Sequence, residues 1–343
     1  MNVSVSDPLA ARNDPQLPTL ALALDPIIVQ KQFKRRLARL AGDDGMVYLS
    51  AIRVTRHKPG RRCVLEYDVE VRRADAPPES LTLVGKMRAR RYGKADYQLL
   101  DEVWNAGFQA NAADGVSVPE PISVVPRLQM WLQRKVPGEL STAALLKPGG
   151  ATLVRRIADA IHKLHRAGVP ADRCHTMKDE LRILHERVPL AARSKPDWSA
   201  RLARILAACD RLAATVPEPR SCGIHRDFYS AQVIAGKSRI WLLDFDLYCQ
   251  GDPALDIGNF LGHLTEQSLR VFGDARALAN RERAMEDRFV ELSGESSRRA
   301  VRAYATLTLA RHIYLSSQRP EGASLTEPLM ELCEQHLGLA PKS

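Results

Sequence analysis

The hydrophobic pattern of this chain changes period once, near Gly138, and that change restricts the folds open to it. Ahead of Gly138, Val47 to Thr55, Cys63 to Val71 and Ser80 to Met87 read as strands, the first two separated by His57-Lys58-Pro59-Gly60, whose Pro-Gly pair signals a turn. Ala95 to Phe108 carries Tyr97, Leu100, Val103 and Trp104 at helical spacing, and Ile122 to Val125 and Leu128 to Val136 return to strand before Pro137-Gly138. Beyond it, Thr152 to Ala167, Met177 to Ala191, Trp198 to Thr215, Arg283 to Leu292 and Ser297 to Ser316 place apolar residues three and four apart. The expected fold class is α+β, with a small β-rich lobe over 25–136 holding one main helix and a larger helical lobe over 137–343. Asp25-Pro26 has the form of a helix N-cap and first residue, followed by an apolar face of Ile27, Ile28, Val29, Phe33, Leu37 and Leu40. Residues 1–24 mix Pro, Asp, Asn and Ser without periodicity and read as a loose leader.

At 343 residues and 45% hydrophobic, the chain has material for about two domains with real cores. No stretch reaches the roughly 18 apolar residues of a spanning helix, and Met1 to Pro18 has neither a basic start nor a compact apolar segment. Cys63, Cys174, Cys209, Cys222, Cys249 and Cys333 stand singly, as thiols of a reducing compartment do, so the expected location is cytoplasmic. The formal charge of +10 favours polyanions, with nucleotide phosphate and nucleic acid as the two candidates. Lys34-Arg35-Arg36 and the Arg88 to Arg91 cluster are interspersed with apolar residues as on solvated faces, so no nucleic-acid stripe and no membrane partner are expected.

Between the helices lies Gly223 to Ile257, which fits no helix. It reads His225-Arg226-Asp227-Phe228-Tyr229-Ser230-Ala231-Gln232, then a Gly236-Lys237 turn, then a strand, Arg239 to Leu243, delivering Asp244-Phe245-Asp246. A loop aspartate, an amide five residues on and a second aspartate 17 residues after the first match the needs of phosphoryl transfer. One carboxylate orients or deprotonates the attacking hydroxyl; the amide oxygen and the other carboxylate hold a magnesium ion against the phosphates.

These residues resemble the catalytic and metal-binding loops of the aminoglycoside phosphotransferase and choline kinase-like superfamily, relatives of the protein kinases. The pattern there is His-x-Asp with Asn five residues after the Asp, then a hydrophobic strand ending in Asp-Phe. His225, Asp227, Leu242-Leu243 and Asp244 match it, and Gly251-Asp252-Pro253-Ala254-Leu255-Asp256-Ile257-Gly258 resembles the Gly-Asp-Pro-x-x-Asp-Leu-Ala block. The resemblance spans about residues 45 to 315 and implies a bilobal protein-kinase-like fold. It further implies that Val84-Gly85-Lys86 holds the phosphate-gripping lysine, with Glu102 as its ion-pair partner and Asp101 as the competitor. Leu132 to Gly138, including Gln133 and Val136, resembles the hinge that receives the base; Ala160 to His165 resembles the helix behind the catalytic loop. His225 and Asp256 are then structural supports. The departure is Gln232 where most relatives have Asn; active sugar kinases similar to maltokinase also carry Gln there.

Read on their own, His162 and His165 are packing residues rather than metal ligands, Asp256 is a helix N-cap, and Asp246 is either a surface carboxylate or a substrate or metal contact. No Gly-x-x-x-x-Gly-Lys-Ser/Thr and no Gly-x-Gly-x-x-Gly occurs, which removes the P-loop class; the turn from His57 to Arg62, with Arg61 and Arg62, is the candidate phosphate cover. The resulting expectation is a kinase using ATP or GTP and Mg2+ to phosphorylate a small-molecule hydroxyl: an amino sugar, a sugar or a choline-like alcohol. Asp227 is its catalytic residue, Gln232 and Asp244 its metal ligands, and Lys86, Glu102, Gln133 and Val136 its nucleotide contacts. The alternative, raised by Gln232, is a nucleotide-binding pseudokinase acting as a regulatory module.

Overall fold

The computed structural model describes residues 3–42, 45–74, 76–89, 93–193, 195–318 and 320–339. Arg90 and Arg91 of the basic cluster lie outside them. The chain forms two compact units, Met1–Pro137 and Gly138–Ser343.

The first unit is built on a six-stranded sheet in the order β1-β2-β3-β4-β7-β6. Its strands are β1 (Ser4–Ser6), β2 (Met46–Lys58), β3 (Arg62–Arg73), β4 (Ala76–Arg88), β6 (Pro121–Val125) and β7 (Met130–Arg134), with a two-residue β5 (Val116–Ser117) beside them in sequence. In β3, Cys63, Leu65, Tyr67, Val69 and Val71 alternate strictly onto the buried face. In β2 the alternation skips a residue, with Val47 and Leu49 inside and then Ile52 and Val54, because the register against β3 shifts between Leu49 and Ala51. Gly85 has no room for a side chain: a Cβ would lie 2.4 Å from Met130 Sδ and 2.8 Å from the Tyr67 ring.

That buried face is covered by α1 (Leu20–Ala23), α2 (Pro26–Arg36) and α3 (Ala38–Ala41), and by the residues ahead of them. Asp25 caps α2 by accepting from the amides of Ile27 and Ile28. Residues 3–24 are not a loose leader. β1 pairs in parallel with β2 over Ser4 to Ser6, and Ala11, Leu17, Leu20, Ala23 and Leu24 are fully or almost fully buried in the same core as Phe33 and Tyr67. The segment lacks periodicity because it is a string of one-turn pieces held by side-chain carboxylates: Asp7 accepts from Ala11 N and Arg12 N, and Asp14 from Gln16 N. The remaining helix of this unit, α4 (Lys94–Asn105), buries Asp96, Leu100 and Val103.

The second unit is helical: α5 (Ser141–Ala144), α6 (Gly150–Arg166), α7 (Met177–Arg187), α8 (Ser199–Ala213), α9 (Pro253–Phe272), α10 (Ala279–Ser293), α11 (Ser297–Ser317) and α12 (Thr326–His336). Short strands frame the irregular insert. β10 (Cys222–Ile224) pairs with β13 (Cys249–Gly251), which pairs with β9 (Cys174–His175), and β11 (Val233–Ala235) pairs with β12 (Ile240–Leu242) and β8 (Glu139–Leu140). At the centre α9 and α11 cross closely. A Cβ on Gly258 would sit 2.7 Å from the backbone of Ala305, and one on Gly262 would sit 2.6 Å from Thr308 Cβ. The insert is shorter than the sequence indicated, since α9 starts at Pro253 under an N-cap from Asp252, whose carboxylate accepts from Ala254 N at 2.9 Å. The N-cap is therefore Asp252, not Asp256, which lies one turn inside the helix. Among the described residues no helix is long and apolar enough to cross a membrane, and all six cysteines are free thiols.

Candidate active site

The loop between β10 and β11 is fixed from below by one side chain. Asp256, with no exposed surface, accepts from His225 N at 2.8 Å, Arg226 N at 2.6 Å and His165 Nε2 at 2.9 Å. Those bonds hold Arg226 at φ +69°, a left-handed backbone that a side chain of this size adopts at a cost of roughly 1–2 kcal/mol. The sharp reversal there presents the next residue, Asp227. His165 is thus part of the loop's support, and on α6 neither it nor His162 belongs to a metal site among the described residues.

A second set of bonds ties this loop to the one after β12. His225 Nε2 donates to Leu243 O at 2.7 Å, Leu243 N donates to Gln232 O at 2.9 Å, and Gln232 Nε2 lies 3.4 Å from Asp227 Oδ2. Asp244 follows Leu243 with φ +60°, again left-handed, as the backbone turns out of the strand. The His225 ring packs at 5.6 Å from Phe228 and 5.3 Å from Phe245, so one residue from each loop shares its faces. Asp227 and Asp244, 17 residues apart in sequence, are electrostatic neighbours. Burial pushes the Asp227 carboxyl above its ordinary value and Asp244 pushes it the same way, against the opposing pull of His225, Arg311 and the Gln232 amide.

Two crowded carboxylates and an amide form a hard oxygen-donor set suited to Mg2+ or a similar ion. Among the described residues no group of three or more His, Cys, Asp or Glu side chains is arranged to hold a metal by itself. Such a set leaves coordination positions for phosphate oxygens and water. Asp246 is half-buried, and its backbone carbonyl accepts from Arg173 at 3.0 Å.

In the first unit, Lys86 stands on β4 opposite Trp131, its ammonium 4.9 Å from the centre of the indole ring. Gln133 is buried opposite Val84, and Val136 is half-buried just beyond β7. Glu102 is exposed. Helical phase explains why: Asp96, Leu100 and Val103, four and three residues apart, form the buried stripe of α4, and Glu102 lies about 100° around from Val103. The acid that α4 turns inward is Asp96, which lies 3.5 Å from Arg88 Nε. Glu102 therefore does not face the interior of this unit, and the Asp96-Leu100-Val103 spacing was the signal in the sequence for the face that does.

The turn after β2 also differs from expectation. The Gly60 amide, at φ +67°, donates to Asp14 Oδ2 at 2.8 Å, and His57 Nε2 meets the same oxygen at 2.8 Å. A carboxylate from the N-terminal segment thus occupies one backbone donor of the turn read as the candidate phosphate cover.

Comparisons with known proteins agree with this architecture. The APH family model, described as the phosphotransferase enzyme family, matches residues 85–291. No curated protein matches the sequence. Among solved structures, a choline/ethanolamine kinase family protein from Mesorhizobium loti aligns with a TM-score of 0.55 at 16% identity, over 90% of this chain and 98% of its own. A thermostable mutant of aminoglycoside phosphotransferase APH(4)-Ia, in complex with AMP-PNP and hygromycin B, aligns with a TM-score of 0.55 at 16% identity, over 92% and 99%. The amicoumacin kinase hAmiN, in complex with AMP-PNP, Ca2+ and Ami, aligns with a TM-score of 0.56 at 14% identity, over 84% and 90%. The α+β, protein-kinase-like fold class is that of these structures.

Proposed function

Because the chain belongs to the APH phosphotransferase enzyme family, we propose that it transfers the terminal phosphoryl group of a nucleoside triphosphate, ATP or GTP, to a hydroxyl of a small molecule. Asp227 orients that hydroxyl and accepts its proton as the oxygen attacks phosphorus; a new O–P bond forms, the β–γ bridging O–P bond breaks, and the nucleoside diphosphate leaves. The raised carboxyl of Asp227 suits a proton acceptor, since burial has cost its anion part of its hydration. Asp244 and Gln232 would hold Mg2+, which when bound neutralises charge on the β- and γ-phosphates. Lys86 would grip the phosphates with Asp96 inside its helix, and the backbone around Gln133 and Val136 would receive the base. The acceptor is an amino sugar, a sugar or a choline-like alcohol; the hygromycin B complex and the choline/ethanolamine kinase family protein among its structural neighbours support this class.

The observation that carries the reading is the convergence of Asp227, Gln232 and Asp244 through the bonds centred on Leu243, over a loop pinned by Asp256. A panel of these acceptors, with coupled detection of nucleoside diphosphate, tests it. Wild-type protein turns over with at least one acceptor, and Asp227→Ala loses about 1,000-fold or more in kcat while still binding nucleotide. Undiminished turnover in Asp227→Ala would refute the assignment; nucleotide binding without any turnover in wild type would favour a regulatory binding module.

A further inference from the structure

On its other flank, the catalytic loop is attached to the α9–α11 crossing by residues that no motif singled out. Phe228, immediately after Asp227, has its carbonyl held by Asn259 Nδ2 at 2.9 Å. Asn259 is fully buried on α9, and its Oδ1 receives the Arg311 guanidinium, with Thr308 Oγ1 at 3.5 Å as a second donor from α11. Two donors on Oδ1 leave the amide one orientation, the one that aims Nδ2 at Phe228 O. The Gly258 and Gly262 contacts with α11 make the reach possible, because they bring the α11 backbone to where side chains would otherwise stand.

Arg311 is anchored in turn. Its second terminal nitrogen donates to Glu180 Oε2 at 3.2 Å, and Glu180 Oε1 is met by His175 Nε2 at 2.6 Å. Burial pushes the Glu180 carboxyl up, but the bond from His175 and the charge of Arg311 outweigh it and hold Glu180 below its ordinary value. Tyr229, next along the loop, stacks on His263 of α9 with ring centres 4.6 Å apart, and His263 Nδ1 lies 3.2 Å from His312 Nε2, one residue beyond Arg311. Burial and the nearby Arg311 cation push His312 down to about 3, so this imidazole packs as a neutral ring at physiological pH.

We propose that Arg311 is a positioning residue for Asp227, acting through Asn259 on the Phe228 carbonyl, so that the catalytic carboxylate is clamped between Asp256 on one side and the Glu180–Arg311–Asn259 chain on the other. The inference rests on Asp227 being the acting residue. A planar guanidinium is required because one group must bond Glu180 and Asn259 simultaneously through separate nitrogens; the single ammonium of lysine cannot reproduce that fork.

The test uses the full-length protein and the variants Arg311→Lys, Arg311→Met, Asn259→Ala and the double variant Asn259→Ala/Arg311→Met. Two quantities are read: amide hydrogen exchange across residues 226–229, and kcat set against nucleotide KM. Loop exchange rises by about tenfold or more in every variant while amides in the middle of α6 keep their protection. Arg311→Lys raises loop exchange as Arg311→Met does, because its charge alone cannot restore the fork; kcat falls by about 100-fold with nucleotide KM within about threefold, and the double variant is no slower than Arg311→Met, which already removes both the fork and the charge near Asp227. Unchanged loop exchange in Asn259→Ala and Arg311→Lys, or kcat losses that multiply in the double variant, would overturn the proposal. If Arg311→Met fails to fold, the other single variants decide. If wild-type protein shows no phosphoryl transfer, the functional reading fails, and the exchange measurements still decide whether Arg311 orders the loop.

Discussion

Asp256→Asn keeps the size of a fully buried side chain but turns one of its two acceptor oxygens into a donor. The less costly orientation leaves an oxygen in the Oδ2 place, preserving the bonds from His225 N and His165 Nε2, and puts the NH2 group against Arg226 N–H, which loses its 2.6 Å partner. A buried amide without a partner costs about 1–3 kcal/mol, and release of Arg226 from its left-handed backbone returns about 1–2 kcal/mol, leaving a net loss on the order of 1 kcal/mol. Stability alone therefore changes little. Catalysis changes more, because relaxation of Arg226 moves Asp227, and a displacement of about 1 Å in a reacting group costs about 100-fold. Urea unfolding, with steady-state kinetics at saturating acceptor, separates the two effects: a midpoint shift equivalent to about 1 kcal/mol, kcat down by about 100-fold and nucleotide KM nearly unchanged. Asp256→Ala, which abandons all three donors, costs several-fold more stability. An Asp256→Asn enzyme with wild-type kcat would refute the link between the strained Arg226 and the placement of Asp227.

The Asp14 anchor predicts a pH signature. Burial pushes its carboxyl up, but bonds from Gly60, His57 and Gln16 carry it below the ordinary value, so its contribution to stability is present above that value and disappears as pH falls through the folded-state pKa. Asp14→Asn is expected to cost about 1–3 kcal/mol at neutral pH and to converge with wild type on acidification; a gap that stays constant down to about pH 2 would contradict it. In the first unit, Asp96→Asn raises nucleotide KM about tenfold and Glu102→Gln changes it by less than about twofold, read from the same coupled assay; the reverse order would return the ion-pair role to Glu102.

The parts legible in the sequence are those whose residues act locally. Strict alternation in β3 and the Asp25-Pro26 cap of α2 need only near neighbours, and the structure has both. The α9 helix escaped because nearly every residue from Ala254 to Ser268 is buried, polar ones such as Asn259 and Gln267 included, and because Gly258 and Gly262 lower its helix propensity. The N-terminal segment escaped for the opposite reason: its order comes from tertiary burial of Leu17, Leu20 and Leu24 and from Asp14 reaching a turn more than 40 residues away. The loop residues from His225 to Asp244 were readable because their types and order follow a compact motif of the family, with each spacing short enough to be seen in the chain. Asn259 and Arg311 were not, since a link from α11 to the Phe228 carbonyl leaves no spacing rule behind.

Calorimetric titration with AMP-PNP, with Mg2+ and then with a chelator, asks whether Gln232 and Asp244, and not the base Asp227, hold an ion on a bound triphosphate. Binding should require Mg2+ and weaken about tenfold or more in Asp244→Asn, while Asp227→Asn retains affinity within about threefold. Equal affinity with and without the metal, or an Asp244→Asn protein that binds like wild type, would show that these side chains do not form a nucleotide–metal site.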